Sequence, residues 1–240
     1  MNLKIKGVYL TERDLKLMRY LHAVKVATYD QIARDAYSDY SLRGVGNRLR
    51  KLENNRFISS TGNRLLLHGK RIVSLTKLGF EQFVKRGDEF VNEFKSQAVK
   101  HDLALNDIRS RIVAKSQVRD YQTENEIKTW NARFRKLNSD ALFTLDLGKG
   151  SFQIPLEYES SMKKTLRYEP IVKKYYQEST MPFVAYIADS QNILDKVSTI
   201  ERKLYGWNKP KFFYRLKQDF LADEALHLEN YDKFILAIGE

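Results

Sequence analysis

Three acidic side chains lie near the ends of two successive strand-like segments. Asp140 precedes the apolar run 141–147, and Glu157 and Glu159 end the next run, 152–159, after a Gly-Lys-Gly turn. Side chains alternate faces along a strand, so Glu157 and Glu159 point to the same face. Converging carboxylates repel one another and have raised pKa values unless a cation neutralises them. Mg²⁺ or Mn²⁺ binds such hard oxygen ligands together with a phosphate oxygen, which is the chemistry of metal-dependent phosphodiester cleavage.

The composition indicates a negatively charged partner. The 240 residues include 42 Lys and Arg against 30 Asp and Glu, a formal net charge of +12, which favours nucleic acid. A basic protein of the membrane surface has a similar excess, but the sequence has no apolar run of about 18 residues and no leader-like start. We therefore expect a soluble, cytoplasmic protein without a membrane span. The absence of cysteine excludes a disulfide scaffold, a Cys-based zinc site and a cysteine nucleophile.

The N-terminal third of the sequence predicts a small helical domain with a basic hairpin. Thr11, Thr28 and Ser41 each precede a segment with helical apolar spacing. Two segments, 57–61 and 71–75, then flank a glycine-containing loop and predict a hairpin. Three helices followed by a basic hairpin indicate a winged helix-turn-helix, which places its third helix in the major groove of DNA.

The third helix, expected over residues 41–54, is the candidate recognition helix. Its apolar spacing predicts that Leu42, Val45, Leu49 and Leu52 are buried and that the basic side chains turn outward or sideways. A protein-interaction module with a solvated basic face is the alternative, but charge on both helix and hairpin favours DNA. The candidate DNA-binding residues are Arg43, Asn47, Arg48, Arg50 and Lys51 on the helix and Arg64, Lys70 and Arg71 on the hairpin.

The remaining sequence alternates helical and strand-like segments around the acidic strands. The helix that follows them, expected over 164–178, has Leu166, Val172 and Tyr175 on its predicted buried side. Its basic residues Arg167, Lys173 and Lys174 are solvated or contact a phosphate backbone. The sequence therefore predicts a two-domain α+β or α/β protein, with a winged helix at 1–87, a connector at 88–98 and a core with a central mixed sheet at 99–240.

The acidic pattern resembles the PD-(D/E)XK, or restriction-endonuclease-like, superfamily, which has an acid on one strand and an acid-x-lysine pair on the next. Ser139-Asp140 and Glu157-Tyr158-Glu159 match it except that Glu159 replaces the lysine. The resemblance implies that a neighbouring lysine supplies the missing charge, with Lys163 and Lys164 as candidates. It also implies a further glutamate ligand upstream, for which Glu124 is a candidate, although a surface role for Glu124 is an equal alternative.

Several motifs, taken in order, resemble the replication-relaxation and MobC-type plasmid relaxase family. They are the opening segment 10–21, Leu-Thr-Lys-Leu-Gly-Phe at 75–80, the segment 101–108 with His101 and Asn106, and Glu157-x-Glu159-x-Ser161-x-Lys163. The resemblance implies a nickase that processes double-stranded DNA at a plasmid origin of transfer or replication, together with accessory mobilisation or coupling proteins. We expect His101 and Asn106 to have structural or interdomain roles.

Water is the preferred nucleophile, although tyrosine attack stays open. The better-known relaxases use a His-apolar-His metal site with a tyrosine, and this sequence has four separate histidines and no His-x-His pair. We expect Asp140 and Glu157 to hold Mg²⁺ or Mn²⁺, Glu159 to complete the site or orient the water, and Lys163 or Lys164 to stabilise charge. The alternative is a non-catalytic winged-helix regulator or replication initiator with a degenerate nuclease-like domain.

Overall fold

The chain forms two compact units, Met1–Asn106 and Asp107–Glu240. The computed structural model describes residues 3–5, 8–62, 71–84, 98–130, 137–148, 150–206 and 208–239. The units divide inside a helix, Val99–Val113, and not in the expected connector 88–98, of which residues 88–97 lie outside the described ranges. The division falls there because Val99 and Leu103 pack with Val26 and Ile72 of the first unit.

The first unit contains three helices and then a hairpin, in the predicted order. Its three-stranded sheet is antiparallel with the order β3-β5-β4, and a separate antiparallel pair, β1-β2, precedes it. The elements are β1 Leu3–Ile5, β2 Val8–Leu10, α1 Glu12–Val24, β3 Val26–Thr28, α2 Tyr29–Ala36, α3 Leu42–Asn54, β4 Ile58–Gly62, β5 Arg71–Leu75, α4 Lys77–Phe83 and α5 Val99–Val113.

Side-chain caps explain why these helices begin where they do. The side chains of Thr11 and Thr28 each accept a hydrogen bond from the backbone amide of the third residue of the following helix. The side chain of that third residue accepts a hydrogen bond from the amide of the cap residue, which completes a capping box. Ser41 caps α3 in the same way without the return bond. The three predicted helix starts are therefore confirmed. Gly79 in α4 lies against the Phe57 carbonyl, where an added Cβ would stand 2.2 Å from the oxygen, so this close approach requires glycine.

The second unit is built on a seven-stranded mixed sheet with the order β12-β11-β10-β9-β8-β7-β6. The pairs β8-β9 and β9-β10 are parallel, whereas the other neighbours are antiparallel. The elements are β6 Val118–Thr123, α6 Glu124–Trp130, β7 Ala141–Asp146, β8 Ser151–Glu159, α7 Thr165–Gln177, β9 Val184–Ala188, α8 Gln191–Tyr205, β10 Phe212–Leu216, α9 Lys217–Ala222, β11 His227–Glu229 and β12 Ile235–Ala237. The mixed sheet of the α+β prediction is confirmed.

Helices α7 and α8 cover one face of this sheet. Their buried residues Tyr168, Val172, Tyr175, Val197 and others form a single core with Tyr186 and Ala188 of β9. The register pairs Glu157 with Tyr186 and Glu159 with Ala188, and paired residues of neighbouring strands share a face. Both glutamates therefore point to the helix-covered face.

Two apolar residues that we expected to be buried are exposed. Leu42 at the start of α3 is 62% exposed, and Leu166 in the first turn of α7 is 81% exposed. Leu42 is the first residue of α3 and Leu166 is the second residue of α7. Both fit the apolar spacing of their helices, but the first turn of each helix extends beyond the core that the later turns contact.

Across the described ranges, the helices are all too short or too polar to cross a membrane.

Candidate functional site

Asp140 lies where β7 begins, directly beside the end of β8. Its amide donates to the Leu156 carbonyl at 3.1 Å, which continues the antiparallel ladder by one residue. Its carboxylate Oδ2 accepts a hydrogen bond from the Tyr158 amide at 2.7 Å. Asp140 is therefore held against the backbone of β8 on either side of Glu157, through its amide at Leu156 and its carboxylate at Tyr158.

Glu157 is a mostly buried carboxylate next to Asp140. Its side chain is 15% exposed, and the register that pairs Ala141 with Leu156 brings Glu157 opposite Asp140. Its Oε1 accepts a hydrogen bond from the Tyr175 hydroxyl and lies 3.8 Å from Lys174 Nζ. One cation and one hydroxyl from α7 are thus the described partners of this carboxylate.

The electrostatics of the pair are unfavourable for two charged carboxylates. Burial and then the charge of Asp140 raise the pKa of Glu157 to about 8, although Lys174, Tyr175 and Lys163 oppose the change. Burial also lowers the pKa of Lys174, against the charges of Glu157 and Asp140. Burial and the charge of Glu157 raise the pKa of the Tyr175 hydroxyl well above its ordinary value, so this hydroxyl stays protonated and donates.

Lys174 and Tyr175 are the site residues that the sequence interpretation missed. We assigned Lys174 to a solvated or phosphate-facing side of α7, but its Nζ donates to the Leu137 carbonyl and faces Glu157. Tyr175 was correctly predicted to be buried, and that burial beside a polar strand end was the available signal. The contacts of the Lys174 ammonium and the Tyr175 hydroxyl with Glu157 depend on how α7 crosses the sheet, which the sequence does not specify.

Glu159, on the same face of the sheet as Glu157, is paired with a lysine. Lys163 Nζ lies 2.5 Å from Glu159 Oε2, and the glutamate side chain is only 7% exposed. The Ser161 amide also donates to Glu159 at 3.5 Å. Of the two candidate lysines, Lys163 therefore reaches the acidic edge of the sheet. Lys164 is exposed at the N-cap position of α7 and makes no side-chain cap.

Glu124 begins α6 beside the backbone of Asp140. Its amide donates to the Asp140 carbonyl at 2.9 Å, but its carboxylate binds Lys128 at 2.5 Å. Glu126 accepts hydrogen bonds from the amide and hydroxyl of Thr123, which makes it a capping residue of α6. Glu124 thus lies near Asp140, as expected for an additional metal ligand, but its carboxylate forms an ion pair with Lys128.

The donor set at Asp140 and Glu157 fits a hard divalent cation. Both groups supply carboxylate oxygens, and a cation beside Glu157 would offset the burial and repulsion that raise its pKa. Within the described ranges, no group of three or more His, Asp or Glu residues is arranged as a metal site. The fit therefore concerns two carboxylates, with further ligands from water or substrate, as is usual for Mg²⁺.

A cavity of about 1160 Å³ lies elsewhere on the second unit. Its lining includes Leu147, Phe183, Phe213 and Phe234 but neither Asp140 nor the two strand glutamates. This apolar cavity is therefore separate from the carboxylates.

The outer side of α3 carries the expected basic surface. The exposed residues are Arg43, Asn47, Arg50 and Lys51, and Arg50 Nη1 donates to Asn47 Oδ1 at 3.4 Å. Positions 43, 47, 50 and 51 follow helical spacing. These four side chains thus form one solvent-facing stripe, which we call the α3 stripe.

Arg48 is a correction to this set, because it turns inward. Its Nη2 lies 2.5 Å from Asp14 Oδ2, its Nε donates to Asp14 Oδ1 at 2.8 Å, and Nη2 also donates to the Tyr9 carbonyl. Asp14 is fully buried and also accepts from the Tyr37 hydroxyl. A buried carboxylate requires a cation, so Arg48 joins α3 to α1 rather than facing a ligand.

Of the three candidate DNA-binding residues on the hairpin, one lies in the part of the chain that the structure describes. Arg71 is exposed, lies 3.7 Å from Glu53 and donates to the Ser60 hydroxyl at 2.6 Å. Arg64 and Lys70 lie outside the described residues.

Asn106 has a structural role in the first unit, as expected. It is buried, and its Nδ2 donates to the Val26 carbonyl at 2.6 Å, which attaches α5 to β3. His101 is partly exposed and has its Nδ1 3.7 Å from Asp102.

Comparison with protein-family models, with curated proteins and with solved structures finds no match to this chain.

Proposed function

We propose that the second unit is a restriction-endonuclease-like domain that cleaves DNA with a divalent metal ion. The observation that carries this proposal is the pairing of Asp140 with Glu157 at one end of two adjacent strands, where burial and mutual repulsion raise the pKa of Glu157 to about 8. A cation stabilises two neighbouring, partly buried carboxylates, and perturbed carboxyl groups cluster at functional sites.

In this proposal Asp140 and Glu157 hold Mg²⁺ or Mn²⁺, which when bound activates water and neutralises charge on the phosphodiester. Tyr175 orients Glu157 through its hydroxyl. Lys174, 3.8 Å from Glu157, takes the role of the lysine that Glu159 replaces. Lys163 holds Glu159 in place at the end of β8 through an ion pair. Water is the nucleophile, since the pKa of Tyr175 is raised and disfavours its phenolate.

We further propose that the first unit is a winged helix that binds double-stranded DNA. Three features support this: the order α1-β3-α2-α3-β4-β5, the antiparallel sheet order β3-β5-β4, and the exposed α3 stripe. In this arrangement α3 enters the major groove and the hairpin lies near the backbone. The net charge of +12 supports an electrostatic contribution to binding.

The biological setting we propose is plasmid mobilisation, in which the protein nicks an origin of transfer or replication in the cytoplasm with accessory mobilisation or coupling proteins. Support for this setting comes from the ordered motifs, including Leu-Thr-Lys-Leu-Gly-Phe at 75–80 and Glu157-x-Glu159-x-Ser161-x-Lys163.

A second candidate is a non-catalytic DNA-binding regulator or replication initiator. The observation that favours it is the ion pair between Glu159 and Lys163, because Glu159 stands where the superfamily has its lysine. In this alternative the carboxylate strands have lost catalysis and serve in dimerisation or partner docking.

The test incubates purified protein with supercoiled plasmid in Mg²⁺, Mn²⁺ or EDTA. Asp140→Ala and Glu157→Ala are compared with the wild type and with Asp146→Ala, which changes a carboxylate at the opposite end of β7. We expect metal-dependent conversion to open circles by the wild type and Asp146→Ala only. Linear product would indicate cleavage of both strands.

The two candidates separate on the same samples. Tight binding in a gel shift without cleavage in any metal, for plasmids with and without a transfer origin, supports the regulator. Cleavage that survives both Asp140→Ala and Glu157→Ala would exclude the carboxylate site.

A further inference from the structure

The stretch between the acidic strand end and α7 combines exposed apolar and basic side chains. Residues 160–167 contain three cations and no acid. Met162 and Leu166 in this stretch are 47% and 81% exposed, and Leu166 is the most exposed large apolar side chain in the described ranges. Lys164 and Arg167 are exposed beside them. We call Met162, Leu166 and these two cations the basic-apolar segment.

This segment is adjacent to the carboxylate site. Met162 follows Glu159 by three residues, and Lys163 between the two apolar side chains binds Glu159 at 2.5 Å. The buried residue Tyr168 also contacts this stretch. Its hydroxyl accepts a hydrogen bond from the Lys163 amide at 2.8 Å and donates to Met162 Sδ at 3.8 Å. Ordered groups lose less conformational entropy when they bind, so the contacts with Tyr168 favour binding by Met162.

We propose that Met162 and Leu166 form an apolar wedge that inserts into duplex DNA and unstacks a base step next to the phosphodiester. The charge of the segment determines the class of partner, since Lys164 and Arg167 complement a phosphate backbone. Proteins that kink DNA insert Met or Leu between base steps while nearby Lys and Arg bind phosphates. This inference rests on the proposed function for the position of the scissile bond, but the wedge itself requires only DNA binding.

A wedge predicts a preference for DNA that is already unstacked. Inserting a side chain costs a few kcal/mol per step, and a single-base bulge removes part of that cost. We expect the wild type, in EDTA, to bind a bulged 30-base-pair duplex on the order of tenfold more tightly than the matched duplex. Leu166→Ala and the double variant Met162→Ala/Leu166→Ala should bring this ratio close to one.

Two controls separate the wedge from other effects. Lys164→Ala should weaken binding to both duplexes by similar factors, because a phosphate contact does not depend on stacking. Leu147→Ala changes an exposed leucine outside the segment, 38% exposed, and should leave the ratio unchanged. Fluorescence of 2-aminopurine in the matched duplex gives a second readout, since it should rise with the wild type and not with the double variant.

The result that overturns the proposal is a wild-type ratio near one, or a ratio that Leu166→Ala leaves intact, in which case the apolar pair serves a protein partner instead. Failure of the wedge and failure of the nuclease are distinguishable on the same protein. A bulge preference that Leu166→Ala abolishes, without nicking in Mg²⁺, supports the wedge and refutes the nuclease. Nicking without a bulge preference refutes the wedge alone.

Discussion

Replacing Glu157 with glutamine should stabilise the metal-free protein, and increasingly so as pH rises. The pKa of Glu157 is raised from 4.5 to about 8 in the folded chain. Below pH 4.5 the carboxyl is protonated in both the folded and the unfolded states, so it has little effect. Between pH 4.5 and 8 the unfolded state loses its proton and the folded state keeps it, so rising pH favours unfolding.

The expected size follows from these values. Above pH 8 the raised pKa of Glu157 lowers the free energy of unfolding by about 5 kcal/mol. At pH 7 the loss is about 3 kcal/mol. Glutamine keeps an acceptor for the Tyr175 hydroxyl and carries no charge. We therefore expect Glu157→Gln to raise the free energy of unfolding by about 3 kcal/mol at pH 7 and by less than about 1 kcal/mol at pH 5.

Urea unfolding followed by circular dichroism at pH 5, 7 and 9 in EDTA measures this difference. Glu159→Gln is the matched control, because it removes a buried carboxylate of the same strand that is paired with Lys163, and it should not stabilise the protein. Adding Mg²⁺ at pH 7 should stabilise the wild type and leave Glu157→Gln unchanged, since ligands stabilise the state that binds them. A stability difference that is constant or falls with pH would falsify this account of Glu157.

Two further predictions concern buried carboxylates of each unit. Arg48→Ala should lower the stability of the first unit by about 3–5 kcal/mol, because it leaves Asp14 buried without its cation. Arg43→Ala changes an exposed residue and should weaken DNA binding without altering urea unfolding. Equal stability of the two variants would contradict the role given to Arg48. Glu201→Ala should destabilise the second unit more than Glu201→Gln in thermal melts, because alanine removes the acceptor of four hydrogen bonds. Glutamine keeps one carboxamide oxygen as acceptor, and its amide can donate to the Tyr214 hydroxyl. The reverse order of stability would contradict this network.

Local signals in the sequence predicted the parts of the fold that depend on local interactions. The caps Thr11, Thr28 and Ser41 lie at the starts of their helices, because capping is decided within four residues. The alternation along 152–159 placed both strand glutamates on one face, because a strand has a strict period of two. The β7-β8 pairing followed from the short turn between two apolar runs.

Contacts between distant elements were not predictable in this way. Arg48 fits a solvent-facing position of an amphipathic helix, and only its approach to Asp14, 34 residues earlier, turns it inward. Lys174 meets Glu157 because α7 returns over the sheet, and no spacing within the helix specifies which lysine does so. The strands β11 and β12 were missed since three-residue strands at a sheet edge carry almost no periodic signal.

Asp14, Glu201 and Glu157, three carboxylates in the described part of the chain, differ in how their charge is compensated, and this difference bears on function. Burial would raise the pKa of Asp14, but hydrogen bonds from Arg48, Thr11 and Tyr37 hold it below its ordinary value. Glu201 accepts four hydrogen bonds from hydroxyl and amide donors. Both have the full pairing that a structural carboxylate requires.

Glu157 is less fully compensated by the residues that the structure describes. It accepts a hydrogen bond from the Tyr175 hydroxyl and lies 3.8 Å from Lys174, but burial disfavours the charged form of Lys174 and Asp140 lies beside it. Apolar or amide side chains at this position would stabilise the metal-free fold, so packing does not account for a glutamate there. The proposed cation would account for it, because it would turn the repulsion between Asp140 and Glu157 into shared attraction. The unfavourable charge pair is therefore the strongest argument in the chain for a metal-dependent activity at this edge of the sheet.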